Sequence, residues 1–230
     1  MKSFEVHLIG CAMCGADTIT CRFERPAGYD FVPGQYAMLT LETTEGTKGK
    51  PFSLAAAPAD PYLEVTTRLS GSAFKRALRQ LEPGDAVQVS AAAGRLVLPQ
   101  DIERVAFLVG GVGITPARSI LRDAVHRSSG LSALLIYGNR DESCIAYREE
   151  LEQMQPHGIR VAHVLEAPGD DWPGPRGFIT ADTIRSLTDP DGPELYVVAG
   201  PPAMVDAMGR CLDTLGISAS RIRAEKFSGY

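Results

Sequence analysis

The sequence predicts a two-domain chain: an antiparallel β-barrel over residues 1–99, followed by an α/β domain with a parallel sheet over residues 100–230. Three observations predict this. Up to residue 99, apolar and polar residues alternate in short runs. Beyond it, unbroken apolar runs take turns with amphipathic stretches. At the junction of the first such pair stands a glycine-rich turn, "GGVGITP" at residues 110–116.

In the first half, "TITCRFER", "YAMLTLET", "YLEVTTRL" and "AVQVSAAA" have the period of half-buried strands, and "PAGYDFVPG", "TEGTKGK" and "LEPGD" carry the turn residues between them. Several short strands at this spacing indicate a small antiparallel barrel. One stretch breaks the pattern: "SAFKRALRQL" sets Phe74, Ala77, Leu78 and Leu81 at helical spacing. In the second half, "VAFLV", "ALLIY", "RVAHVL" and "LYVVA" read as strands buried on both faces, as in a parallel sheet covered by crossover helices. The helices are "PARSILRDAV", "YREELEQM", "TADTIRSL" and "PAMVDAMGRCLDTLG", and "RIRAEKFSGY" can supply a fifth strand.

Composition narrows the function. With 23 basic and 28 acidic residues the net charge is -5, which offers no basic field for nucleic acid. No apolar segment reaches the roughly 20 residues that span a membrane. Glu5 and His7 interrupt the apolar start, so a soluble, cytoplasmic protein is expected. Five cysteines are too few for a disulfide scaffold. Cys11, Cys14 and Cys21 lie close together, but a closed tetrahedral metal site needs four ligands, so a reduced hairpin without metal is expected.

In the glycine turn, Thr115 reads as a helix N-cap and Pro116 as the first helical residue, where its missing N–H costs nothing. Gly110, Gly111 and Gly113 allow positive φ and close backbone approach. A strand, a glycine turn and a helix N-terminus in that order favour a pyrophosphate, although a plain strand–helix turn has the same letters. A second turn, "VVAGPPAMVDAM", repeats the arrangement at Gly200, Pro201, Pro202 and Met204. In an open α/β sheet both turns lie at the carboxyl ends of the strands, where ligands bind.

Taken in order, these segments resemble the ferredoxin–NADP reductase superfamily, which pairs a flavin-binding barrel with a pyridine-nucleotide domain. "FVPGQYAML" is similar to its P-G-Q strand and "GKPFSLAAAP" to its flavin motif R-x-[YF]-S. "GGVGITP" and "AGPPAMV" resemble its two nucleotide turns, and "AEKFSGY" its closing E-x-aromatic. The resemblance implies FAD as cofactor and NADP or NAD as the partner nucleotide. It implies that Lys50 and Pro51 lie against the flavin, with Lys50 at the pyrophosphate in place of the usual arginine. Phe52 would pack on the flavin ring and the Ser53 hydroxyl would approach N5. Thr67 and Arg68 would run along the neighbouring strand, and Ser72, Ala73, Phe74 and Lys75 would present a helix N-terminus to the phosphates. Gly111, Gly113, Ile114 and Thr115 would cradle the nucleotide, with Ser53, Thr115 and Glu225 around the reacting atoms. Ala199 stands where many relatives carry cysteine, so no thiol acts there. Arg140, Tyr147 and Arg148 resemble positions that hold the 2′-phosphate of NADP, while Arg148 beside Glu149 and Glu150 reads equally as a solvated helix face. Either Phe227 or Tyr230 would cover the flavin.

The activity implied is that of an FAD-dependent NAD(P)H reductase serving a separate redox protein, a ferredoxin-type iron–sulfur protein or an oxygenase. A reductase that uses free flavin as substrate is the alternative, and a non-enzymatic nucleotide sensor is a further one. Residues 48–95 carry Lys48, Lys50, Arg68, Lys75, Arg76, Arg79 and Arg95 against Asp60, Glu64, Glu82 and Asp85, a basic rim able to steer an acidic partner.

Overall fold

The computed structural model describes residues 2–189 and 191–227. Strands β1 (Ser3–Gly15), β2 (Thr18–Glu24), β3 (Tyr36–Leu41), β4 (Lys48–Ser53), β5 (Tyr62–Arg68) and β6 (Ala86–Ser90) form one sheet in the order β4-β3-β6-β1-β2-β5, with helix α1 (Ala73–Gln80) between β5 and β6. All pairings are antiparallel. The alternation read in the sequence is the burial pattern: in β3, Ala37, Leu39 and Leu41 are buried and their neighbours are not. Phe74 and Leu78 of α1 enter the same core as Phe23, Leu39, Leu63 and Val89. Ser72 caps α1, its hydroxyl accepting from Lys75 N.

The second sheet is parallel, in the order β11-β10-β7-β8-β9, from β7 (Arg104–Gly110), β8 (Ser132–Asn139), β9 (Ile159–Leu165), β10 (Leu195–Gly200) and β11 (Ile222–Lys226). The unbroken apolar runs are explained by covering on both faces. Val105, Phe107 and Val109 pack with α2 (Ile114–His126) and α3 (Arg148–Glu152). Ala106 and Leu108 pack with α4 (Ala181–Leu187) and α5 (Pro202–Thr214). The strand order reverses at β7, so the two glycine turns, ending β7 and β10, lie side by side at the switch point. No helix of the described residues is long and apolar enough to cross a membrane.

One expectation is corrected. Cys11 and Cys21 are not reduced: they form a disulfide. The reason is register, since the two residues face each other across the β1–β2 ladder with Cα atoms 4.1 Å apart. Cys14 stays free, and burial pushes its thiol up to about 12, which removes it from thiolate chemistry.

Candidate active site

Both halves wall one cavity of about 380 Å3. From the barrel come Lys50, Pro51, Phe52 and Ser53 of β4, Thr66, Thr67 and Arg68 of β5, and Ser70, Ser72, Phe74 and Lys75 at the start of α1. From the α/β half come Val112 and Thr115 of the glycine turn, with Glu225, Lys226 and Phe227 at the end of β11. Ser53, Thr115 and Glu225 are thus brought to one space from three distant parts of the chain. Tyr36 also lines it and was missed by the sequence reading. It opens β3 directly opposite Ser53, a place visible only once "YAMLTL" is paired with "KGKPFS".

Arg68 and Lys50 both lie close enough to act on Lys75. Burial first, then Arg68 and Lys50, hold the Lys75 ammonium below the ordinary lysine value. Arg68 also donates from Nε to Asp17 Oδ2 at 2.6 Å. Three cations beside the N-terminus of α1 are a donor set suited to a pyrophosphate, so the residues present fit FAD. The Phe52 ring stacks on Phe74 at 5.6 Å and stays half-buried at the cavity. Burial raises the Glu225 carboxyl above the usual carboxylate range.

The glycine turn is built differently from the expectation. Residues 111–113 form a 3-10 turn and α2 starts at Ile114, capped by Gly113. Thr115 is therefore not the N-cap; it lies within the first turn and its hydroxyl donates to Val112 O at 2.9 Å. Pro116 still falls among the first four residues, whose N–H groups have no helical partner. Only Gly111 takes positive φ, at 52°, and it faces open space. Gly110 and Gly113 serve close approach within the protein: a Cβ would stand 2.2 Å from Met204 Sδ at Gly110 and 2.1 Å from Ala199 O at Gly113. Ile114 is fully buried beneath the turn. Gly200, Pro201 and Met204 lean on the first turn, Pro202 opens α5, none of the four lines the cavity, and Gly200 O accepts from Phe227 N at 2.9 Å. Tyr230 lies outside the described residues.

Arg140, Tyr147 and Arg148 do not form a group. Arg140 is exposed and donates to Asp141 Oδ2 at 2.9 Å, while Arg148 pairs with Glu152 at 3.0 Å and lies over the Trp172 ring. Tyr147 instead turns inward: its hydroxyl donates to Glu64 Oε1 at 3.0 Å and bonds the hydroxyls of Thr20 and Thr66. The Tyr147 ring, between Ala146 and Arg148 in sequence, is drawn inward by burial against the cluster that holds Ile145, Ala146 and Leu151.

The largest feature hidden in the sequence is the seam between the halves. Glu64, with 0% exposure, accepts from Arg118 Nη1 at 2.6 Å and from Arg22 Nε at 2.6 Å. Arg118, with 1% exposure, also grips Glu150, and its guanidinium lies 4.1 Å over the Tyr147 ring. One turn along α2, Arg122 bridges Glu150 at 2.7 Å and Asp60 at 2.6 Å. Glu150 thus belongs to the ion-pair network of the seam, half-buried between Arg118 and Arg122, and not to a solvated helix face.

This site can be set beside known proteins. Residues 3–98 match the family model of an FAD-binding domain, and residues 107–210 that of an oxidoreductase NAD-binding domain. The chain is 27% identical to ferredoxin–NADP reductase B of Sorangium cellulosum (strain So ce56), a match covering 98% of both chains. The chain belongs to the ferredoxin–NADP reductase superfamily. It is an NAD(P)H-dependent flavoprotein oxidoreductase that binds FAD and a pyridine nucleotide. A superfamily relative, the ferredoxin reductase component of the 3-ketosteroid-9-alpha-monooxygenase of Rhodococcus rhodochrous, is 28% identical over 87% of this chain, and the match spans 57% of that protein's length. The fold also matches a solved ferredoxin–NADP+ reductase of Neisseria gonorrhoeae with bound FAD and NADP, at TM-score 0.86 and 20% identity over 98% of this chain and 99% of that one.

Proposed function

We propose that this chain takes a hydride from NAD(P)H onto FAD and hands the electrons to a separate ferredoxin-type iron–sulfur protein or oxygenase. The observation that carries this reading is the cavity shared by Lys50, Phe52, Ser53 and Arg68 on one wall and Thr115, Glu225 and Phe227 on the other. FAD supplies the ability to accept two electrons together and release them singly. The division of labour is by halves, with FAD on residues 1–99 and the nucleotide on residues 100–230. Lys50, Arg68, Lys75 and the start of α1 hold the pyrophosphate, and Phe52 and Phe74 give the ring an apolar wall. Ser53 and Thr115 present hydroxyls at the reacting end, where Glu225 can hold a proton on its carboxyl and Phe227 limits access.

Two of the four acids that oppose the basic rim, Asp60 and Glu64, are buried against arginines at the seam. The rim left at the surface includes exposed Lys48, Lys50, Arg68, Arg76, Arg79 and Arg95, which suits an acidic electron carrier. The names of the Sorangium and Rhodococcus relatives, both ferredoxin reductases, support the same acceptor class. We propose the cytoplasm as the compartment, where reducing thiol pools would open the Cys11–Cys21 bridge; a bridge that stays closed in cells would overturn that placement. The test is gel filtration followed by anaerobic reduction. Yellow protein with about one FAD per chain, bleached by NAD(P)H and reoxidised by a ferredoxin, is the expected result. Colourless protein active only with added flavin would replace this reading with that of a free-flavin reductase.

Lys50→Ala is expected to weaken FAD retention by about tenfold, the low end for a charge-assisted bond because Lys50 is exposed. Nucleotide affinity should not follow. Equal flavin content in both proteins after gel filtration would remove Lys50 from the site.

We propose NADPH as the preferred donor, with two exposed arginines as the reason: Arg140, just past the end of β8, and Arg148, which opens α3. Arg140→Ala with Arg148→Ala should raise KM for NADPH by about tenfold and leave that for NADH nearly unchanged. Parallel losses for both nucleotides would show that the arginines support only the local fold.

A further inference from the structure

Arg118 and Ser119 stand one turn into α2, three and four residues beyond Thr115. Both reach across the seam to the chain just after Ser53. Arg118 Nη1 donates to Ala55 O at 2.7 Å, and Ser119 Oγ donates to Ala56 O at 2.6 Å. The same guanidinium holds Glu64, two residues before Thr66 on β5. Tyr147, under that guanidinium, bonds Thr66 itself. These bonds therefore run from the helix that brings Thr115 to the cavity onto the segments that bring Ser53 and Thr66 to it.

From this we infer that Arg118, seconded by Ser119, is a positioning residue for hydride transfer: it fixes the offset of the nucleotide wall against the flavin wall. Cohesion alone does not call for it. A well-packed apolar pair would join the halves as firmly as a buried ion pair does. What a guanidinium adds is direction, because its donors are fixed in one plane and here are shared among Glu64, Glu150 and Ala55 O. Ala55 and Ala56 are fully buried, so the carbonyls that accept these bonds are themselves held by packing. The offset matters because transfer between two bound rings depends steeply on their alignment.

This inference rests on the functional reading above, and the test separates the two. Arg118→Lys keeps the charge and loses the fork; Ser119→Ala removes one cross-seam bond and leaves no buried charge behind. Each is compared with wild type in FAD content, melting temperature, the difference spectrum of oxidised protein titrated with NADP+ and NAD+, and the anaerobic rate of flavin reduction. Arg118→Lys is expected to retain FAD and bind nucleotide with near wild-type affinity. Its difference spectrum at saturation should shrink, and its flavin should reduce on the order of 10- to 100-fold more slowly. Ser119→Ala should change in the same direction and by less. Unchanged spectra and rates in both variants overturn the positioning role, as does a slower rate explained wholly by lost FAD. Wild type that holds FAD and is not reduced by either nucleotide overturns the functional reading and this role with it.

Discussion

Glu64→Ala is expected to lower the melting temperature of the FAD-loaded protein by about 6–12 °C, from a loss of about 3 kcal/mol and the usual conversion for a chain of this size. Glu64 is fully buried and is the shared acceptor of Arg118, Arg22 and Tyr147. Removing it leaves a guanidinium with 1% exposure short of one carboxylate. Breaking a buried pair costs more than the pair contributes, because the remaining charge stays out of water. The expectation sits at the low end of that range because Arg118 keeps Glu150 and Ala55 O as partners. A differential scanning comparison checks it. If the cost comes from the stranded charge, adding Arg118→Met to Glu64→Ala should recover part of the loss. A double variant that is less stable than either single one would assign the cost to lost packing instead. Acid acts on the same seam through Asp60. Burial pulls its carboxyl up, but Arg122 and the Ala57 N–H together hold it below the ordinary value. Its contribution is therefore present above the unfolded value and is lost as pH falls through the lowered folded one.

The seam was illegible in the sequence for a physical reason. Glu64 sits in "YLEVTTRL" as the polar member of an alternating strand, and such residues usually face water. Its burial pattern breaks that rule, with Leu63 through Thr67 all buried, because the second half covers the outer face of β5. Arg118 and Glu150 looked like ordinary charges on amphipathic helices, and nothing local tells a helix face turned to a partner domain from one turned to solvent. By contrast, the sheets were legible because periodicity is local. Alternation in β3 and unbroken runs in β7, β8 and β10 each follow from how many faces of a strand are covered. The strand β1 was not read as one, since Glu5, His7 and two glycines blur its alternation and its far half has little buried surface. Among the residues that line the cavity, those carried by motif order are named by the sequence and those carried by pairing are not. Ser53 and Glu225 belong to short motifs, whereas Tyr36 reaches the cavity through its place across from Ser53. The Cys11–Cys21 bridge was missed in the same way, through register.

Gly113→Ala is expected to cut nucleotide-driven chemistry sharply while leaving FAD in place. Gly113 has an ordinary helical φ of -61°, so the need for glycine there is not conformational. It is a matter of space: an added Cβ would meet Ala199 O at 2.1 Å, Ala199 C at 2.5 Å and Gly200 N at 2.8 Å. All three are backbone atoms of β10, which is fixed between β7 and β11 and has no flexible end to swing aside. The start of α2 must then move off the sheet, at a cost of about 1–3 kcal/mol for overpacking. That movement carries Val112 and Thr115 with it and disturbs Gly200, whose carbonyl anchors Phe227. The residues proposed to hold FAD lie in the other half, so the variant should stay yellow. Reduction by NADPH or NADH should slow by on the order of 100-fold, while dithionite reduces the flavin at the wild-type rate. Gly111→Ala is the control, because that position has φ of 52° and open space around it. It should lose about 1 kcal/mol of stability to the left-handed backbone and much less of the rate. Equal rates for Gly113→Ala and wild type would mean that the turn tolerates displacement, and that Thr115 does not need its present place for the nucleotide to react.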